Sequence, residues 1–95
     1  MIKRCAVFTN SKEKAIEKLE EIKNIKNNLV KLWKTRDQLE YHFEDGEIWG
    51  WINPNGNQKG YRVCKAWIDK NLNDRILRRV VLSYCTCKKE DIFYF

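Results

Sequence analysis

The chain has 95 residues, 43% hydrophobic and 13% aromatic, a composition that excludes disorder and sets a single domain with a modest core. Nineteen Lys and Arg against thirteen Asp and Glu give a net charge of +6. That charge favours an acidic partner (nucleic acid, nucleotide or acidic protein surface), or in the plainer reading only keeps a lysine-rich surface soluble. No apolar run reaches membrane-span length, and the first ten residues turn polar too early for a secretory signal, so the expected location is the cytoplasm, with no membrane partner.

Lys3 to Phe8 reads as a first strand, a short apolar run of Cys5, Ala6, Val7 and Phe8. Asn10 or Ser11 then caps a helix, with Glu13 as the capping-box partner of Asn10. Ile16, Leu19, Ile22 and Ile25 recur at helical spacing, and Asn24 to Asn28 ends the element. Leu29 to Trp33 is a second strand, and Thr35 to Gln38 is either a turn or a bend within one long strand.

Leu39 to Ile52 holds two alternating runs around Asp45-Gly46, a dipeptide suited to a two-residue hairpin turn. A turn at Asp45-Gly46 pairs Phe43 with Ile48, His42 with Trp49 and Tyr41 with Gly50. Leu39, Tyr41, Phe43, Ile48 and Ile52 then share a core face. The other face carries Gln38, Glu40, His42, Trp49 and Trp51, two tryptophans among polar groups that something must cover.

Asn53 to Gly60 is a polar, Pro- and Gly-bearing loop. Tyr61 to Ile68 resumes as a strand, with Cys64, Ala66 and Ile68 on one side and Val63, Lys65 and Trp67 on the other. Asn73 or Asp74 caps a second helix with the stripe Ile76, Leu77, Val80, Val81 and Tyr84, leaving Arg75, Arg78 and Arg79 off the stripe. Asp91 to Phe95 closes as a strand whose aromatics join the core. The order β-α-β-β-β-β-α-β predicts a single α+β domain over residues 1–95. Its sheet is mixed and mostly antiparallel, with five or six strands and both helices on one face, leaving the other face open. Leu19, Ile22, Tyr41, Phe43, Ile48, Ile68, Leu77, Val80 and Val81 are the expected core.

Little in the chain converges on chemistry. In a reducing cytoplasm Cys5, Cys64, Cys85 and Cys87 are expected as thiols. Cys85-Thr-Cys87 is the one close pair, and no second knuckle accompanies it to make a structural zinc site. His42 between Glu40 and Glu44 reads as a general base or, more plainly, a surface histidine. Asp69 with Asp74, or Glu44, Asp45 and Glu47, are the acids that could bind a divalent cation, and the second group sits at a hairpin tip, a poor frame for a preorganised site. Neither a catalytic residue, a metal nor a cofactor is expected.

Asp45-Gly46-Glu47-Ile48, Lys59-Gly60-Tyr61-Arg62 and Trp67-Ile68-Asp69 resemble the hairpin, basic-glycine turn and acid-ended strand of phage terminase ATPase domains. The pattern also resembles small uncharacterised phage proteins of low-GC bacteria. The ATPase likeness implies a Mg²⁺-holding role for Asp69. It also requires a glycine-rich phosphate loop after the first strand, where this chain reads Phe8-Thr-Asn-Ser-Lys-Glu-Lys with no glycine, so ATP hydrolysis is rejected. The likeness to phage proteins implies a non-catalytic accessory protein that binds and inhibits a host or bacterial-defence component in the host cytoplasm. A basic module for single-stranded nucleic acid and a nucleotide or second-messenger binder are the alternatives. Trp33, Trp49, Trp51, Tyr61 and Trp67 interleave with Lys34, Arg36, Lys59, Arg62 and Lys65, so the expected contact surface is the sheet face with the 53–60 loop, with Trp49, Trp51, Asn53, Lys59, Tyr61, Arg62 and Arg36 as its site residues.

Overall fold

A computed structural model describes residues 3–35, 38–54, 62–76, 79 and 89–95. Among these residues six strands, β1 (Lys3–Phe8), β2 (Leu29–Lys34), β3 (Leu39–Phe43), β4 (Glu47–Ile52), β5 (Lys65–Ile68) and β6 (Ile92–Tyr94), form one sheet in the order β2-β3-β4-β1-β5-β6. The mixed α+β sheet is the architecture expected. Its balance differs from expectation: β1 pairs parallel with β4 and β5, and β5 parallel with β6, leaving β2–β3 and β3–β4 antiparallel. Long connections account for this, with α1 following β1, residues 53–64 joining β4 to β5, and residues 69–91 joining β5 to β6. A parallel neighbour needs a long crossover, whereas the short 35–38 and 44–46 connections permit only antiparallel meanders.

β1 lies at the centre and is buried on both faces from Cys5 to Phe8, which explains its unbroken apolar run. The helix α1 (Lys12–Lys26) follows it. Ser11 is the N-cap, its side chain accepting the Lys14 N–H, so the choice between Asn10 and Ser11 falls on Ser11 and the Asn10–Glu13 box is not formed. Asn27 closes the helix in the left-handed region at φ 53°, its N–H bonded to the Lys23 carbonyl. Ala15, Leu19 and Ile22 face the sheet, while Ile25, expected on the same stripe, is 75% exposed.

α1 packs over β1, β3 and β4. It covers Cys5, Val7, Leu39, Tyr41, Phe43 and Trp49, with Trp51, Trp67 and Phe95 at the margin. A second cluster on the opposite face gathers Ala6, Phe8, Ile52, Val63, Ala66, Ile68 and Leu72, with Ile76 and Ile92 packed against it. Both faces of the sheet centre are therefore covered, contrary to the one-sided arrangement expected. The second helix starts as expected, with Asn73 Oδ1 accepting the Ile76 N–H, and residues 74–76 and 79 are helical. Leu77, Arg78, Val80, Val81, Tyr84, Cys85 and Cys87 lie outside the described residues.

The hairpin is the main correction. Tyr41 pairs with Trp49 and His42 with Ile48, one residue out of the expected register. Gly46 adopts φ 89° and donates its N–H to the Phe43 carbonyl. The connection is thus the three residues Glu44-Asp45-Gly46, a bulged hairpin loop with glycine in the left-handed position, rather than a two-residue turn. The shift exchanges the facings within β4. Trp49, 4% exposed, enters the core under α1 and Ile48 turns to the other face, half-buried. β3 keeps its expected inward face of Leu39, Tyr41 and Phe43.

Smaller differences follow from the crossover. β5 is shorter than the predicted 61–68 strand, and a bend at Cys64 reverses the facing of Val63 and Cys64. β6 follows a single 3-10 turn at Lys89–Asp91. Phe95 packs on the core and Phe93 stacks on Trp67 at 4.9 Å, but Tyr94 is exposed.

Candidate functional site

Of the residues expected to form a contact surface, Trp49, Trp51, Asn53 and Arg62 lie among the described ones, and the fold does not bring these four together. Trp49 lies under α1, its indole N–H donated to Glu47 Oε1 at 2.9 Å. Trp51 is half-buried on the same face and donates to the Thr9 carbonyl at 2.8 Å. Asn53, half-buried, follows the C-terminal end of β4. Arg62 is exposed and precedes β5, so it sits at the opposite end of the sheet. With Trp51 beside Val7 and Lys65 beside Cys5, Arg62 is removed from Trp51 by at least three residue spacings, about 10 Å along the strands. Two strands flanking β1 in the same direction hold the two ends of the 53–62 connection apart, where an antiparallel hairpin would have joined them. Arg36, Lys59 and Tyr61 lie outside the described residues.

Two buried carboxylates sit at opposite ends of the sheet and are spoken for. Glu47 accepts from Lys65 Nζ, Lys26 Nζ and the Trp49 indole, each at 2.9 Å. Burial pushes its pKa up, but these three donors outweigh burial and hold it below the usual carboxylate range. Asp69, 1% exposed, is likewise raised by burial and lowered further by the Asn71 N–H, the Thr9 hydroxyl and Lys14. Both are pinning groups: Glu47 ties the last turn of α1 to the hairpin, and Asp69 ties the ends of β1 and β5 together. Among the described residues no cluster of three or more His, Cys, Asp or Glu side chains could hold a metal ion. Asp69, for which the ATPase likeness implies a Mg²⁺ role, belongs to no such cluster among the described residues.

Both outer strands of the sheet expose apolar side chains, Phe93 and Tyr94 on β6 and a longer run on β2. β2 is paired only with β3 among the described residues, and it lies beyond the part of the sheet that α1 covers. Val30 is 69% exposed, Leu32 46% and Trp33 48%. Lys31 pairs with His42, Leu32 with Tyr41, Trp33 with Glu40 and Lys34 with Leu39. Directly paired residues share a face, so Leu32 and Lys34 stand on the α1 side and Lys31 and Trp33 on the other. That second face is open at β2 and β3. It carries Trp33, Lys31, His42 and Glu40, with Ile48 and Arg4 next in line.

The open face has its own electrostatic order. Lys31 Nζ sits 5.2 Å from the centroid of the Trp33 ring, a cation–π distance. Glu40 lies between His42 Nε2 at 3.1 Å and Arg4 Nη1 at 3.9 Å. The surface offers an aromatic ring, cations on both sides of the sheet and an unpaired strand edge. Those are the components of a recognition surface, and the aromatic-beside-cation pattern sought in the sequence is realised at Trp33 rather than at Trp49 and Trp51. A sequence signal singles it out from the other strand aromatics: of the four tryptophans, Trp33 alone has a lysine within two residues on each side, Lys31 and Lys34.

No protein-family model matches the chain, and neither a curated protein nor a solved structure does. Among the described residues no helix is long and apolar enough to cross a membrane.

Proposed function

We propose that this chain is a non-catalytic binding protein of the phage or mobile-element kind, which acts in the host cytoplasm by occupying a host or bacterial-defence component. The observation that carries the binding half is the outer strand β2, along whose edge Val30, Leu32 and Trp33 are exposed, Leu32 and Trp33 on opposite faces. Proteins commonly blunt such edges, and an exposed apolar one marks a place for another chain. The phage half rests on the likeness of the Asp45–Ile48, Lys59–Arg62 and Trp67–Asp69 segments to small phage proteins. The contact surface in this reading is β2 with the open face of β3, in place of the sheet face with the 53–60 loop.

A second reading, single-stranded nucleic acid, is favoured by Lys31 over the Trp33 ring with Lys34 on the same strand, since aromatic platforms beside cations stack bases. Pull-down from bacterial lysate with and without nuclease treatment, using the native chain and Trp33→Ala, separates the two. A protein captured from both lysates by the native chain and lost by the variant supports the first reading. Capture abolished by nuclease, together with steeply salt-dependent oligonucleotide binding, supports the second. Equal capture by both chains removes β2 from either reading.

A further inference from the structure

We infer that the free edge of β2 accepts an extended partner segment as a seventh strand, and that this segment carries two acidic residues bracketing two apolar ones. The inference rests on the binding reading above and names the chemistry of the partner.

The geometry follows from the pairing of β2 with β3. Val30 is the extra residue of a bulge between Leu29 and Lys31, so the regular ladder of β2 runs from Lys31 to Lys34. A strand laid along the other edge of that ladder meets four side chains in order: a cation, a leucine, an indole and a cation. Lys31 stands on the open face and Lys34 on the α1 face, with Trp33 and Leu32 between them on those same two faces. Acids three residues apart on an added strand also fall on opposite faces, and so meet both lysines at once. The two residues between them cover Leu32 and Trp33, with apolar or β-branched side chains favoured beside an aromatic.

Charge selects among occupants. Neither Lys31 nor Lys34 forms an ion pair with a carboxylate among the described residues; Lys34 acts on Glu20 only at longer range. Edge lysines are a device against indiscriminate strand pairing. A second copy of this chain would gather four lysines and no acid of β2 along one seam, whereas an acidic segment turns the same repulsion into attraction. The main-chain groups of the edge supply affinity and the alternating side chains supply the sequence preference, as in other strand-addition complexes.

The probe is a fluorescein-labelled ten-residue peptide with a Glu-Val-Val-Glu centre, compared with the same peptide carrying Lys-Val-Val-Lys, by anisotropy at low salt. The acidic peptide is expected to bind at least tenfold more tightly and to weaken as salt rises. N-methylation of its central amides should reduce binding by at least tenfold, because it removes the ladder donors. In the double variant Lys31→Glu/Lys34→Glu, whose changes are at exposed positions, the preference should reverse while the thermal midpoint stays put.

Equal binding of the two peptides, indifference to N-methylation, or failure of the reversal in a folded variant overturns the inference. So does a dimer in sedimentation that the charge-reversal variant dissolves, or binding of an oligonucleotide with no binding of the acidic peptide. Capture of a lysate protein that depends on Trp33, with the peptide unbound, overturns this inference and leaves the binding reading standing.

Discussion

Replacing Trp49 by phenylalanine perturbs the β4 register at its centre. The indole is 4% exposed, packs beneath α1 and donates to the buried Glu47 carboxylate. The variant loses a hydrogen bond to a charged acceptor, about 1.5–3 kcal/mol in mutational terms, although Lys26 and Lys65 still serve Glu47. It also leaves a void where the second ring stood, so a cost of about 2–4 kcal/mol is expected. Total stability for a domain of this size is about 5–14 kcal/mol, so the variant remains folded. Ile48→Ala truncates a half-buried residue on the open face and should cost only about 1–2 kcal/mol. Urea unfolding followed by circular dichroism measures both. The two-residue register reverses the order, placing Ile48 in the core and Trp49 in solvent. An Ile48→Ala cost equal to or above that of Trp49→Phe refutes the bulged hairpin.

Gly46→Ala forces a Cβ into φ 89° and should destabilise by about 1–2 kcal/mol in the same assay. Acid should weaken the fold through Glu47 and Asp69. Both carboxyls are held below their ordinary values of 4.5 and 3.8, so the folded chain binds fewer protons than the unfolded one. Their contribution is complete above those values and is lost as pH falls through the lower folded ones. Thermal midpoints between pH 6 and 2 should fall, and Glu47→Gln should flatten part of that fall. Cys5 is buried 3.9 Å from Cys64, and burial first, then Cys64 and Glu47, push its thiol pKa far up. A thiol reagent at neutral pH, read by peptide mapping, should label Cys64 well before Cys5.

Elements whose signals are local were legible. The apolar run of β1, the stripe of α1 from Ala15 to Ile22 and the Asn73 cap carry their own periodicity or capping chemistry. So does the inward face of β3, because alternation within one strand does not depend on its neighbours. The hairpin register was not legible. Asp45-Gly46 suits a two-residue turn and equally the tail of a three-residue loop, and only tertiary contacts decide. Lys26 reaches both Asp45 and Glu47 from the last turn of α1, which fixes Glu47 on the α1 side and Trp49 with it.

The contact surface depended on strand order, which no single strand encodes. Leu29-Val-Lys-Leu-Trp-Lys34 reads as an ordinary half-buried strand, yet it is exposed almost throughout because it stands last in the sheet. That place follows from two crossovers. The chain returns after α1 far enough from β1 for the β2-β3-β4 meander to fit between, and β4 then takes the position beside β1. The second crossover sets β5 on the other flank of β1 and so places Trp51 and Arg62 at opposite ends of the sheet. Aromatic and cationic residues look alike in sequence wherever they fall. At Trp49 and Trp51 the indole N–H is satisfied inside the chain by Glu47 and Thr9, and the rings serve the core. At Trp33 the neighbouring group is the exposed Lys31, and the strand's outer main chain has no partner among the described residues. A satisfied indole under a helix and an exposed one on a bare edge are therefore what separate the structural tryptophans from the one placed to meet another molecule.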